Sequence, residues 1–187
     1  MTSGRWTQRL GLVGAGIVLG AGLMFVGLAQ ADRIAPARPG VLVALGQKLE
    51  VEHRAVDLKI DRGDIAGAIA SLESLRSGPW PAEDADLARA NDVAVALRHD
   101  VYGRLVRLRL DHPEVDGKPT AGLLSIVEEG LGEDAGEVDA NPFTARLYAL
   151  QGELFEAEGR DDDALAAYEK ALEINGILLE RELGGAP

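Results

Sequence analysis

The chain contains no cysteine. That absence removes disulfides, thiolate catalysis and cysteine-based zinc or iron–sulfur sites, and it excludes the lipidated cysteine of a lipoprotein. It is compatible with an oxidising envelope space and with cytoplasm alike. Aromatic residues are also scarce, at 4%. A core short of large rings is built from many small contacts between helices rich in alanine and leucine, which points to an all-helical architecture. Acidic residues are missing from the first 31 positions, although the whole chain of 187 residues carries a formal net charge of -12. The body is therefore acidic, while the head is short and apolar with Arg5 and Arg9 as its charges. An acidic body repels phosphate backbones, so nucleic acid is not an expected partner. It also binds anionic lipid poorly, so membrane attachment has to come from the head.

The stretch "GAGIVLGAG" in that head places Gly14, Gly16 and Gly20 at the spacing of a dinucleotide-binding loop. Such a loop needs an amphipathic helix after it and an acidic residue that ends a second strand. Here "AGLMFVGLAQA" follows without a polar face, and Asp32 stands in the proline-broken "DRIAPARPG". From Leu10 to Ala29 there is no charged side chain. About 20 such residues make roughly 30 Å of helix, the thickness of a bilayer's hydrocarbon core. Residues 10–29 are expected to form a transmembrane helix, with 1–9 as a cytoplasmic tail and Trp6 at the interface. Arg5 and Arg9 hold that tail inside and send the body to the periplasm or an equivalent space; Arg33 and Arg38 beyond the span oppose them. Gly16 and Gly20 then let another membrane helix approach closely. A second reading stays open: "AQA" at Ala29–Ala31 fits a signal-peptide cleavage site, which would release a soluble exported protein. Both readings export the body.

Residues 30–40 read as a linker, and helical periodicity dominates from 41 to 187. The clearest segment begins at Asn141, which caps a helix with Pro142 at its first position. Gly159 closes that helix. Asp161 is expected to cap the next, with Ala164, Leu165, Tyr168, Ala171 and Leu172 sharing one face. Within it Tyr148, Gln151-Gly152, Phe155, Ala164, Tyr168 and Ala171 follow the spacing of an aromatic, a Leu-Gly pair, a second aromatic and an Ala-x3-aromatic. Residues 143–176 thus resemble a tetratricopeptide (TPR) repeat. Gln151 departs from the usual leucine, and Gly176 stands where the family turns on a proline, so the last helix is expected to run on or bend into "ILLEREL". Gly152 and Ala164 are read as the small residues where two helices touch.

One hairpin cannot bury its own faces. "DRGDIAGAIASLESL" imitates the second half of the motif, with Gly63 at the turn, Ala68 at the contact and Leu72 in place of the aromatic. The helix before it, about 41–60, offers Leu45, Leu49, Val56 and Ile60 to a core. A long helix over 85–110 and a shorter one over 119–131 complete a middle pair that lacks the signature. The expected fold is all-α: a membrane helix followed by a short α-solenoid of about three TPR-like hairpins.

Chemistry is sparse. His99-Asp100 superficially matches a metal-dependent phosphohydrolase dyad but lacks the further ligands. His53 is expected at an exposed helix edge, and His112 in a turn. Asp161–Asp163 stabilise a positively polarised helix start rather than bind a cation. No Ser-His-Asp set, phosphate loop or paired carboxylates can be made out, so no catalytic residue, cofactor or metal is expected. The basic concentration at Arg98, Arg104, Arg107 and Arg109 either grips a partner's carboxylates or pairs with neighbouring acids. What the resemblance implies is a protein-binding groove lined by the first helices, where Arg146, Ala149, Glu153 and Glu156 are candidates together with Arg104 and Arg107. The expected function is that of a membrane-anchored interaction module, scaffold or assembly factor. Its alternatives are an accessory subunit that packs through the glycine-rich helix, and a soluble adaptor cleaved at Ala31.

Overall fold

A computed structural model describes residues 35–83, 85–116, 120–132 and 140–184. The proposed membrane span over 10–29, including Gly16 and Gly20, lies outside the described residues. Among the described residues, no helix is long and apolar enough to cross a membrane. The chain is all-helical there, with no strand. Seven helices follow in order: α1 Pro39–Asp61, α2 Ile65–Arg76, α3 Ala88–Asp111 after a 3-10 turn at Ala85–Leu87, α4 Pro113–Asp116, α5 Thr120–Leu131, α6 Pro142–Ala157 and α7 Asp161–Gly184.

The first and last turns are built alike. Gly63 and Gly159 adopt φ of 76° and 70°, a conformation that L side chains rarely take. The Gly63 amide donates to the Ile60 carbonyl and that of Asp64 to Lys59; the Gly159 amide donates to Glu156 and that of Arg160 to Phe155. Each pair satisfies carbonyls orphaned at a helix end and folds the next helix back. At the start of α6, the Asn141 side chain accepts from the amides of Phe143 and Thr144, at 3.0 and 2.9 Å. α7 differs from expectation. The Ala164 amide donates to the Arg160 carbonyl, so Arg160 occupies the boundary and Asp161 is already helical. The helix runs straight through Gly176 to Gly184.

Helices pack in pairs, α1 with α2, α3 with α5 and α6 with α7. In addition α1 packs on α3 and α3 on α6, while α2, α5 and α7 do not pack on one another, apart from the ion pair that Arg76 of α2 makes with Glu129 of α5. The first helices of the three pairs therefore form one continuous layer. Leu49 and Val56 of α1, Ala68 and Leu72 of α2, Leu105 and Val106 of α3, Val127 of α5 and Leu147, Leu150 and Leu154 of α6 share one buried core. Leu45 and Ile60 pack against it, half-buried.

Close contacts between paired helices rest on glycine against tyrosine. A Cβ on Gly152 would stand 2.6 Å from the Tyr168 ring. Ala164 is buried beside this contact. The middle pair uses the same device reversed, with Gly130 on the second helix against Tyr102 on the first, at 2.8 Å from an added Cβ. Its sequence shows no repeat signature because the glycine and the ring have exchanged helices. Phe155 is buried under Arg160, whose guanidinium lies 4.2 Å from the ring centre. Tyr148 packs half-buried against the core. The expected apolar face of α7 is only partly right. Ala164, Ala167, Ala171 and Ile174 are buried, whereas Leu165 and Leu172 turn to solvent.

Candidate functional site

The layer of α1, α3 and α6, backed by α2, lines an open groove of about 510 Å³. Val56 and Ile60 of α1, Leu72 of α2 and Leu108 of α3 form its apolar floor, and Arg104, Arg107 and Arg146 stand round it. Successive first helices bring these cations together: Arg104 and Arg107 lie about one turn apart on α3, and Arg146 enters from α6. Gly103 of α3 lets α6 come close, since a Cβ there would meet the Arg146 Cδ at 3.2 Å.

The guanidiniums are held by carboxylates of neighbouring helices. Arg104 reaches Asp57 at 3.3 Å and Asp100 at 3.6 Å. Arg146 reaches the other oxygen of Asp100 at 3.3 Å. Arg107 pairs with Glu153 at 2.6 Å and with Asp111 at 3.9 Å. The Arg107–Glu153 hydrogen bond raises the already high pKa of the guanidinium, so it stays charged throughout. Asp100 is the hub, since the His53 Nδ1 also lies 3.5 Å from its carboxylate. His53 is therefore half-buried beside the groove rather than on an exposed edge, because α1 turns that face towards α3. Burial and the nearby Arg104 lower its pKa.

Of the six residues proposed to bind a partner, Arg104, Arg107 and Arg146 line the groove, and Glu153 reaches its rim through Arg107. Glu156 instead accepts from the Tyr168 hydroxyl at 3.0 Å, on the side of α7. Ala149 is half-buried and does not line the groove. The other two basic candidates also part company. Arg109 is buried and meets Glu73 at 2.6 Å. Arg98 borders a separate small pocket with Trp80 and Pro81. Sequence reasoning missed Asp57 and Asp100, the carboxylates that orient the groove arginines. Their signal is faint: an acid four residues before Arg104 is visible, but Asp57 comes from another helix.

The remaining histidines are structural. His99 is fully buried, and its Nδ1 lies 2.8 Å from the Thr144 hydroxyl of α6. Burial, reinforced by the Arg98 charge, lowers its pKa to about 4. His112 follows α3 and faces Glu114 at 3.2 Å. Among the described residues, no group of three His, Asp or Glu side chains could hold a metal ion. Comparison with protein-family models, with curated proteins and with solved structures finds no match to this chain.

Proposed function

We propose that residues 41–187 form a TPR-like interaction module, a short α-solenoid of three helical hairpins, and that its groove takes a carboxylate-bearing segment of a partner protein. The observation that carries this reading is the single layer of first helices, α1, α3 and α6, lining an open, apolar-floored groove with Arg104, Arg107 and Arg146 around it. The arginines suit the task because a guanidinium offers a carboxylate two parallel N–H donors. Arg104 and Arg107 already hold exposed carboxylates of the protein, so a ligand carboxylate exchanges for Asp57, Asp111 or Glu153 without stranding a charge, while Arg146 keeps Asp100. The Tyr148–Gly152–Phe155–Ala164–Tyr168–Ala171 spacing supports the family reading independently. The apolar stretch over 10–29 anchors this module in a membrane, with the domain on the periplasmic or equivalent side. The role is that of a scaffold or assembly factor, not of an enzyme.

The test is co-purification from membranes in mild detergent, comparing the native chain with Arg107→Ala/Arg146→Ala. Both side chains are nearly half exposed, so the variant should keep its helicity. Loss of the recurring partners supports groove binding. Retention of the same partners refutes it, and their loss in Gly16→Leu/Gly20→Leu instead favours an accessory subunit held through the membrane helix.

A further inference from the structure

The first and last hairpins can be placed in one register on their turn glycines, Gly63 and Gly159. Ala68 then matches Ala164, and both are buried. One residue further, Ile69 matches Leu165, and the two part: Ile69 is 5% exposed and Leu165 58%. α2 packs against the following helix α3, whereas α7 touches α6 alone among the described helices. Leu165 therefore occupies a position that a following helix covers elsewhere in this same chain.

The uncovered face is long. At about 100° per residue, Leu165, Leu172, Leu179 and Leu183 fall within a stripe roughly 40° wide, and Leu172 and Leu179 are 69% and 60% exposed. Gly176 lies about 20° beyond one edge of the stripe, with open space where a Cβ would stand, so a second backbone has room to come close. Asp162, Glu169 and Glu180 run along one edge of it, all exposed. The outer end of a solenoid is ordinarily polar, and this last described helix presents leucine edged with carboxylates there.

At the other end of the domain, α1 has its own outer face, turned away from Leu49, Val56 and Ile60. Val51 and Leu58 lie on it, Val51 at 70% exposure. Lys48, Arg54 and Arg62 lie within about 60° of Val51 and are exposed, while Asp61, Glu50 and Glu52 lie roughly 80–100° from it. The two ends of the domain are thus apolar, and the charges nearest their apolar stripes are opposite in sign. We propose that copies of this chain associate head to tail, the outer face of α7 in one copy receiving α1 of the next as the helix that would continue the stack.

The occupant is a second copy rather than an antiparallel α7, because α7 against α7 would bring carboxylates to carboxylates. Such a head-to-tail contact is heterologous: each copy uses two different patches, so assembly continues until it closes into a ring or is capped. Electrostatic pairing across the seam makes it weaken as salt rises.

The experiment uses full chains in one mild detergent, so that residues 1–35 contribute equally to every sample, with circular dichroism verifying the helicity of each variant. Sedimentation velocity on the native chain should show species larger than those of either Val51→Glu or Leu172→Glu alone, and high salt should shrink them. Mixing the two variants decides the matter. The intact α7 of Val51→Glu should take the intact α1 of Leu172→Glu, giving a one-to-one pair that neither variant forms by itself. A mixture that only sums its components overturns the proposal. So does a Val51→Glu chain that assembles as the native one does, which would place the seam between two α7 helices. A basic amphipathic peptide that binds α7 while the native chain shows no assembly beyond that of Leu172→Glu would assign the face to another protein, and also overturns it.

Discussion

The buried His99 makes the domain's stability depend on pH between 7 and 5, a window it shares with the partly buried His53, whose pKa burial and Arg104 also lower. His99 has no exposed surface and bonds Thr144 between α3 and α6. Its pKa is lowered to about 4, against about 6.5 in an unfolded chain. A lowered value means that the folded protein prefers the neutral ring. The unfolded chain therefore binds the extra proton first, and the stabilisation present above about pH 6.5 is lost as pH falls towards 4. Integrating the difference in bound protons gives a loss of about 2 kcal/mol between pH 7 and pH 5. For a domain of this size that is a fall in Tm of roughly 4–8 °C. Glu73, whose carboxyl is held low by Arg76 and Arg109 against the opposing effect of burial, adds its loss only further into acid, below about pH 4.5. The assay is thermal unfolding by circular dichroism from pH 7 to pH 5, with the native chain against His99→Gln. The variant is expected to be less stable at pH 7, because it loses shape and a hydrogen bond, but to have a flatter pH dependence. Parallel slopes in the two proteins would refute the reasoning, since the lost stability would then come from groups other than His99.

Other perturbations follow from the packing. Gly152→Ala drives a methyl into the Tyr168 ring and should cost about 1–3 kcal/mol; Gly152→Ala/Tyr168→Leu should cost less than the sum of its single changes, as a denaturation cycle would show. Arg109→Ala leaves the partly exposed Glu73 carboxylate with Arg76 as its remaining partner and should destabilise by about 1–3 kcal/mol. Arg107→Ala should cost under about 1 kcal/mol, because its pair with Glu153 is exposed; similar urea midpoints for the two would contradict this ranking. Asn141→Ala removes the acceptor for the Phe143 and Thr144 amides and should lower stability by about 1 kcal/mol, with faster hydrogen exchange confined to the start of α6.

Much of the fold was legible locally because its determinants are local. Asn141-Pro142 marks a helix start through an acceptor and a preset φ, and Gly159 marks an end because few side chains tolerate a positive φ. Leu49 and Val56 declare a core face because a helix repeats every 3.6 residues. The candidate groove was half legible, since Arg104 and Arg107 share a helix. Asp100 precedes Arg104 by one turn of the same helix, but Asp57 and Arg146 join them only after α1, α3 and α6 come side by side, and no spacing along the chain encodes that. The reversed contact of Gly130 with Tyr102 escaped for the same reason: a motif read in order cannot recognise a pair whose members exchange helices. Leu165 and Leu172 show the limit most clearly. Their period assigned them to a helix face, and the period alone by itself determined that much. Whether that face is buried depends on what lies across from it, and only the tertiary structure, in which α7 packs on α6 alone, decided that nothing in this chain's described helices does.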